Sequence, residues 1–214
     1  MKVRAQQTLL FQGDSITDCG RGRPIGEMTA LGDGYTKQVS ALLQAGYPDR
    51  KIRVLNTGVG GNRVSDLQMR WQTDVLDLKP DWLSIMIGTN DVWRQFDDAD
   101  NPDQVLPERF EAIYRRLLTK TRHRLKGLIL LTPFLIETNP SDPMRVRMTE
   151  YGAIVRHLAG EFDASFVDTQ ARYDDAMISI NPAELSDDRV HPTFVGHSVL
   201  ALGILDALDF RILP

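Results

Sequence analysis

The feature that most constrains the fold of this 214-residue chain is an alternation of short apolar runs with longer amphipathic stretches. Five runs are strongly apolar, and most of them are followed by Gly, Asn, Pro or Asp. These runs are 8–11, 52–55, 82–87, 128–131 and 166–167. Apolar runs without polar alternation are typical of parallel strands that are covered on both faces. The sequence therefore predicts a parallel sheet of five strands.

Between these runs, apolar residues recur at the i, i+3 and i+4 spacing of a helix with one buried face. The predicted stripes are Tyr35/Val39/Leu42/Leu43, Val64/Leu67/Trp71/Val75/Leu78, Leu106/Phe110/Ile113/Leu117, Tyr151/Ile154/Val155/Leu158 and Val195/Val199/Leu202/Leu205. Strands and helices in alternation predict an α/β protein, a three-layer α/β/α sandwich with right-handed crossovers. We find no internal repeat or linker, so we expect a single domain over residues 1–214.

Composition argues against several classes of protein. The 25 Lys and Arg residues against 29 Asp and Glu give a net charge of −4, whereas proteins that bind nucleic acid usually carry a basic surplus. The single cysteine excludes an intramolecular disulfide framework and a multi-cysteine zinc site. No apolar run approaches the about 20 residues that span a bilayer, and the first run ends at Gly13, too early for a signal peptide. We expect a cytoplasmic protein without nucleic-acid or membrane partners, and a homo-oligomer stays open.

In an open parallel sheet, ligands bind beyond the carboxyl ends of the strands, so the residues that follow each strand are the site candidates. After the first run, Ser15 and Asp18 fit a helix capping box, but a serine on a tight turn at a helix N-terminus also fits a nucleophile. After the second run, residues 56–63 are rich in glycine, and their amides are able to converge on an anion. A dinucleotide fingerprint would need glycine where Arg63 stands.

Two later segments add polar groups to the same edge. Asn90, after the third run, fits a helix cap or a neutral donor to a developing oxyanion. Near the C-terminus, Asp188 precedes His191 by three residues, a spacing at which the carboxylate reaches one ring nitrogen and leaves the other free as a general base. The remaining histidines lie on helical patterns without such a partner, and we interpret them as surface or core residues. They are His123, His157 and His197.

Together these segments resemble the four blocks of the GDSL/SGNH hydrolase superfamily. The blocks are Gly-Asp-Ser at 13–15, Asn-x-Gly-x-x-Gly-Asn at 56–62, Gly-x-Asn-Asp at 88–91 and Asp-x-x-His at 188–191. The resemblance implies the flavodoxin-like SGNH hydrolase fold, with Ser15 as nucleophile, His191 as base and Asp188 as the residue that orients it. It also implies an oxyanion hole made by the Ser15 and Gly61 amides and the Asn90 side chain, and a reaction without metal or organic cofactor.

Within the superfamily, residues 13–21, 61–64 and 132–134 are most similar to bacterial carbohydrate acetylesterases, including acetylxylan esterases. This similarity implies hydrolysis of short-chain acetyl esters, with an acetylated sugar such as a xylo-oligosaccharide as the small-molecule substrate. Asp14 and Trp93 are the candidates for contact with that substrate, although Trp93 also fits a half-buried aromatic residue below the next loop.

The choice of oxyanion glycine and of orienting carboxylate stays open, because Gly60 stands beside Gly61 and Asp187 beside Asp188. Cys19 has no histidine or cysteine partner in the sequence, and we assign it no chemical role.

Four other functions fit the sequence less well. A lysophospholipase or thioesterase of the same superfamily would need an apolar groove, whereas the predicted loops 19–33 and 96–107 are polar and contain Gly and Pro. A two-metal phosphoesterase would need an Asp-x-His block near the first strand and a Gly-Asn-His run, and the sequence has neither. An ordinary α/β-hydrolase motif, Gly-x-Ser-x-Gly, fails at Thr17. A non-catalytic carbohydrate-binding relative should have lost a catalytic residue, and none is lost.

Overall fold

A parallel sheet with helices on both faces forms the centre of the structure, a computed structural model that describes residues 1–25, 28–100 and 102–211. Its strands are β1 (Thr8–Gly13), β2 (Arg53–Asn56), β3 (Trp82–Met86), β4 (Gly127–Leu131) and β5 (Ser165–Val167). All four pairings are parallel and the strand order is β2-β1-β3-β4-β5. The predicted five-stranded α/β fold is confirmed. The crossover from β1 leads to one edge of the sheet, and the crossovers from β3 onwards lead to the other edge. Folds of this kind bind their ligands at the point between β1 and β3 where this direction changes.

Nine helices surround the sheet in the described part of the chain. They are α1 (Ser15–Asp18), α2 (Tyr35–Gly46), α3 (Val64–Trp71), α4 (Thr89–Asp97), α5 (Pro107–Thr121), α6 (Pro143–Glu161), α7 (Thr169–Met177), α8 (Pro182–Leu185) and α9 (Phe194–Ala207). Short 3-10 turns occur at Met28–Leu31, Pro48–Arg50 and Arg122–Arg124, and α3 continues into a π-helical turn at Gln72–Leu76. None of the described helices is both long and apolar enough to cross a membrane.

The core has two halves, one on each face of the sheet. One half buries α3, α5 and α6, with Trp71, Tyr114 and Tyr151 as its largest side chains. The other buries α2, α7 and α9, with Tyr35 and Tyr173. The three layers therefore follow from apolar strands that present side chains to both faces.

The predicted stripe of α9 is wrong at two of its positions. Val195 is 45% exposed and Leu202 is 58% exposed, whereas Leu200 and Ile204 are buried. This helix is apolar on nearly every side, so the spacing of its apolar residues does not identify the buried face. Leu42 and Leu106 were also placed on buried stripes, and both are exposed.

The predicted loops are shorter than expected. Helix α4 continues to Asp97 and takes the first two residues of predicted loop 96–107, and predicted loop 19–33 contains the turn Met28–Leu31. Residues 26–27 and 101, which belong to these loops, lie outside the described residues.

Gly127 allows the closest packing in the β4 strand, and its replacement should destabilise the protein. A Cβ atom at this position would overlap with the indole ring of Trp82 on the neighbouring strand. We expect Gly127→Ala to lower the free energy of unfolding by about 1–3 kcal/mol, the usual cost of overpacking a core. Chemical denaturation followed by circular dichroism measures this change.

Gly160 supplies the matched control. It lies in α6, and nothing stands within 4 Å of a Cβ atom built on it. Gly160→Ala should leave stability unchanged or raise it by up to about 1 kcal/mol, because alanine loses less conformational entropy in a helix. Equal destabilisation by both substitutions would contradict the packing argument.

Candidate active site

The turn after β1 places Ser15 as the first residue of α1. Asp14 caps this helix, since its Oδ1 accepts a hydrogen bond from the N–H of Ile16 at 3.0 Å. The predicted capping box of Ser15 with Asp18 is therefore wrong, and the Ser15 hydroxyl is not used as a cap. As the first helical residue, Ser15 also presents its backbone N–H at the positive end of α1.

Asp14 does not have the role in substrate contact that the sequence analysis gave it. The residue is 1% exposed, and within the described part of the chain its Oδ2 has no hydrogen-bond partner. Burial raises the pKa of this carboxyl to about 7, although the Ile16 amide and the positive charges of His191 and Arg70 oppose the shift. A carboxyl enclosed in this way shapes the turn instead of touching a ligand.

Ser15, His191 and Asp188 form a hydrogen-bonded line. The Ser15 Oγ lies 2.9 Å from His191 Nε2, and His191 Nδ1 lies 2.6 Å from Asp188 Oδ2. Asp188 Oδ1 accepts the backbone N–H groups of Val190 at 2.9 Å and His191 at 2.7 Å, and the Ser186 hydroxyl at 3.1 Å. Burial raises the pKa of Asp188, but the hydrogen bonds from the His191 side chain and from the backbone N–H groups of His191 and Val190 outweigh it and bring the pKa down to about 2.

This charged carboxylate fixes the imidazole. Because Asp188 Oδ2 accepts the proton on Nδ1, the neutral ring presents an unprotonated Nε2 to the serine hydroxyl. The neighbouring Asp187 is exposed and makes no contact with His191. Of the two adjacent carboxylates, the structure places Asp188 against the imidazole of His191.

The glycine turn after β2 lies beside the serine. Gly61 has a φ of 76°, a left-handed conformation that glycine adopts without strain. The N–H of Gly60 is directed to Asp18 Oδ2 at 3.3 Å, whereas the N–H of Gly61 has no acceptor among the described residues. The amide that stays free for a ligand is therefore that of Gly61.

Asn90 reaches the same place from the start of α4. Its Nδ2 donates to the backbone carbonyl of Asn62 at 3.1 Å, which leaves its second amide hydrogen for another acceptor. Asn90 lies inside α4 and does not cap it, since the N-cap is Gly88. The amides of Ser15 and Gly61 and the side chain of Asn90 are therefore three neutral donors from the segments that follow β1, β2 and β3.

Asp91, which the sequence analysis did not single out, connects these segments. Both of its carboxyl oxygens accept the N–H of Val64, at 3.1 and 3.2 Å, so α4 is tied to the first residue of α3. Burial raises the pKa of Asp91 to about 8, and the nearby Asp14 adds to the shift. Its place in the Gly-x-Asn-Asp block was the signal available in the sequence.

Trp93 lies next to the imidazole of His191. The centroid of its ring lies 6.1 Å from that of His191 at an angle of 55°, and the Arg94 guanidinium lies 5.9 Å from the Trp93 centroid. The residue is half-buried. Trp93 is therefore a partly covered aromatic residue beside His191, and its contact with substrate stays a prediction.

Cys19 has a partner that the sequence did not reveal. Its Sγ lies 3.3 Å from Nε2 of the buried His197, and the N–H of Tyr35 donates to His197 Nδ1 at 3.3 Å. The neutral ring thus carries its proton on Nε2 and directs it to the sulfur. Burial raises the pKa of the Cys19 thiol, which disfavours the reactive thiolate.

In the described ranges, no group of three or more His, Cys, Asp or Glu side chains is arranged to hold a metal ion. His197, which the sequence predicts to be a surface or core residue, belongs to the core beside Cys19.

A serine, an imidazole and a carboxylate in this order, with neutral donors around the serine, define a serine hydrolase. Residues 11–199 match the GDSL-like Lipase/Acylhydrolase family. The chain is 50% identical over 214 residues to the acetylxylan esterase of Geobacillus stearothermophilus, which covers 99% of this chain and 98% of the relative. The chain therefore belongs to the GDSL-like lipase/acylhydrolase family and is a carboxylic ester hydrolase.

Solved structures agree with this assignment. A crystal structure of an acetylxylan esterase from Geobacillus stearothermophilus superposes with a TM-score of 0.96 at 48% identity and covers 100% of this chain and 99% of that one. Catalytic mutants of that enzyme carry alanine in place of a serine, a histidine or an aspartate. An alpha/beta hydrolase enzyme from the metagenome of Lake Arreo, Spain, matches with a TM-score of 0.95 at 43% identity, covering 98% of each chain.

The buried His197 should make stability depend on pH. Burial, together with the charge of His191, lowers the pKa of His197 from 6.5 to about 4. The unfolded chain therefore binds a proton below pH 6.5 that the folded protein does not accept until about pH 4. The contribution of His197 is complete above pH 6.5 and is lost as the pH falls, up to about 3 kcal/mol.

Urea unfolding at pH 7.5 and pH 4.5 measures this loss. The wild type should lose more free energy of unfolding between the two values than His197→Gln does. Asp14 and Asp91 act in the opposite direction because their pKa values are raised, so the difference between the two proteins isolates the histidine. The exposed His157 is the control, and His157→Gln should behave like the wild type. The same pH dependence in His197→Gln and wild type would contradict the assignment.

Proposed function

We propose that this protein is a serine esterase that removes acetyl groups from carbohydrates, with Ser15 as nucleophile, His191 as general base and Asp188 as the group that orients it. The observation that carries the proposal is the hydrogen-bonded line from Ser15 Oγ through the imidazole to Asp188. The amides of Ser15 and Gly61 and the side chain of Asn90 are the proposed oxyanion hole.

The reaction follows from these positions. His191 Nε2 takes the Ser15 proton while Oγ attacks the ester carbonyl carbon, and the carbonyl oxygen becomes a tetrahedral oxyanion. The three neutral donors stabilise this oxygen, and loss of one such donor costs about 3–4 kcal/mol of transition-state stabilisation. The imidazolium then gives its proton to the leaving alcohol. Water repeats the sequence on the acyl-enzyme and releases the acid.

The acetyl preference is supported by the acetylxylan esterase relative of high identity. Trp93 beside His191 gives the rim an aromatic surface of the kind that packs against sugar rings. Within the same superfamily, the alternative is a lysophospholipase or thioesterase that acts on longer acyl chains.

Cellular context forms part of the proposal. We expect a cytoplasmic enzyme whose partner is a small acetylated sugar, without nucleic-acid or membrane partners, and either monomeric or a homo-oligomer. The single cysteine and the net charge of −4 support this expectation. Fractionation of cells that express the natural gene, followed by immunodetection, tests the location.

The catalytic assignment is tested with p-nitrophenyl acetate. Ser15→Ala and Asp188→Ala should each lower kcat by at least about 10³-fold, because one removes the nucleophile and the other removes the group that orients its base. Asp187→Ala is the matched control, since it deletes an adjacent exposed carboxylate that does not contact the imidazole. Full activity in Ser15→Ala, or loss of activity on addition of a chelator, would overturn the serine mechanism.

The substrate is tested by comparing acyl chains from acetate to octanoate and then acetylated xylo-oligosaccharides. We expect kcat/KM to be highest for acetate among the p-nitrophenyl esters, and release of acetate from the oligosaccharides that Ser15→Ala does not support. A maximum at longer chains would retain the mechanism but replace the carbohydrate substrate with an acyl-chain substrate.

A further inference from the structure

Arg70 lies on α3 with a side chain that is only 16% exposed, and it contacts two separate segments of the site, the end of β1 and the turn after β2. Its Nε donates to Asn62 Oδ1 at 2.7 Å and its Nη2 donates to the carbonyl of Gly13 at 3.0 Å. Its Nη1 donates to the carbonyl of Thr57 at 2.6 Å and to Asp74 Oδ2 at 2.6 Å. Four donor contacts from one rigid, planar group fix the positions of its acceptors relative to one another.

Two of these acceptors, Gly13 and Asn62, lie within two residues of a group of the proposed oxyanion hole. The Gly13 carbonyl lies two residues before Ser15, at the end of β1. Asn62 follows Gly61, and its backbone carbonyl accepts the Asn90 side chain at 3.1 Å. Arg70 therefore fixes the side chain of Asn62, and the backbone carbonyl of Asn62 in turn fixes the side chain of Asn90.

We propose that Arg70 is a positioning residue that sets the spacing of the three oxyanion donors, a role that rests on the proposed function. The hydrogen bonds of the guanidinium are directed to the end of β1, which precedes Ser15, and to the turn that carries Gly61, and Asn90 is reached through Asn62. Without it, the carbonyls of Gly13 and Thr57 and the side chain of Asn62 lose their common partner, and the turn that carries Gly61 is less firmly fixed against the end of β1.

Asp74 holds the guanidinium in this orientation. Its carboxylate lies one helical turn further along the chain and pairs with Nη1. Burial lowers the pKa of Arg70, while Asp74 raises it, and an arginine stays charged in either case. Lysine would keep the charge but not the geometry, because an ammonium group cannot direct donors along the fixed fork of a guanidinium.

The experiment compares Arg70→Met and Arg70→Lys with Ser15→Ala on p-nitrophenyl acetate, well below the melting temperature of each variant. We expect kcat to fall by about 10²-fold in Arg70→Met, as a displacement of about 1 Å in catalytic groups does. KM should change by less than about threefold, because the interaction lost is one made in the transition state. Arg70→Lys should lose at least about tenfold, since it restores the charge without the fork.

Two further readouts separate positioning from a merely structural role. The rate of Ser15 phosphorylation by diethyl p-nitrophenyl phosphate, which also needs an oxyanion hole, should fall in parallel with kcat. The acidic limb of the pH–rate profile should not move, because Arg70 does not contact the Asp188–His191 pair. A structural role would instead lower the melting temperature and leave kcat unchanged in the folded protein.

Arg115→Met is the matched control, because Arg115 pairs with Glu111 and Glu161 on the outer helices and has no contact with the site. It should retain the kcat of the wild type. The proposal is overturned if either Arg70 variant keeps kcat within about twofold of wild type while Ser15→Ala is inactive. If Arg70→Met does not fold by near-ultraviolet circular dichroism, Arg70→Lys decides. Activity in Ser15→Ala would refute the proposed function itself.

Discussion

The close approach of three backbone segments around α1 is the constraint on which the site depends. A Cβ atom on Gly58 would lie 2.8 Å from the carbonyl carbon of Thr17, and one on Gly13 would lie 2.5 Å from the carbonyl oxygen of Met86. Such distances are too short for any side chain, so glycine alone allows the ends of β1, β2 and β3 to meet. Because Asn56 Nδ2 also donates to the Thr17 carbonyl at 2.6 Å, the helix that carries Ser15 is fixed from two sides.

His191 is held by a separate set of contacts, near the other end of the chain. The loop between α8 and α9 is closed by a bridge between Ser186 and Pro192, and the Ser186 hydroxyl donates to the carbonyl of His191 at 2.8 Å. Arg189 anchors this loop to the segment after β4, through ion pairs with Glu137 at 2.5 Å and Asp142 at 3.2 Å. Ser15 and His191 are therefore each fixed by their own contacts. This explains how two residues 176 positions apart in the sequence keep a hydrogen-bond distance.

The sequence allowed the sheet and the residues that end its strands to be predicted, because buried parallel strands are apolar throughout and their carboxyl ends share one edge. It could not identify the buried face of α9, where apolar residues occupy nearly all sides. It also could not reveal Arg70, because an arginine in an amphipathic helix is usually a surface residue, and only the folded chain shows its side chain turned towards Gly13. Cys19 and His197 are 178 positions apart in the sequence, and no local pattern predicts a contact between residues so far apart.

Three carboxyls near the serine differ in charge because their surroundings differ. Asp188 has several donors and its pKa is about 2, so it is ionised near neutral pH and, in the proposed mechanism, stabilises the imidazolium. Asp14 and Asp91 are buried, the effect of burial exceeds that of the nearby cations, and their pKa values rise to about 7 and about 8. Near neutral pH these two groups are protonated to a large extent, which limits the negative charge behind Ser15 and Asn90. In the proposed mechanism a full charge there would oppose the developing oxyanion, so burial of these two acids would favour the same step as the three proposed oxyanion donors.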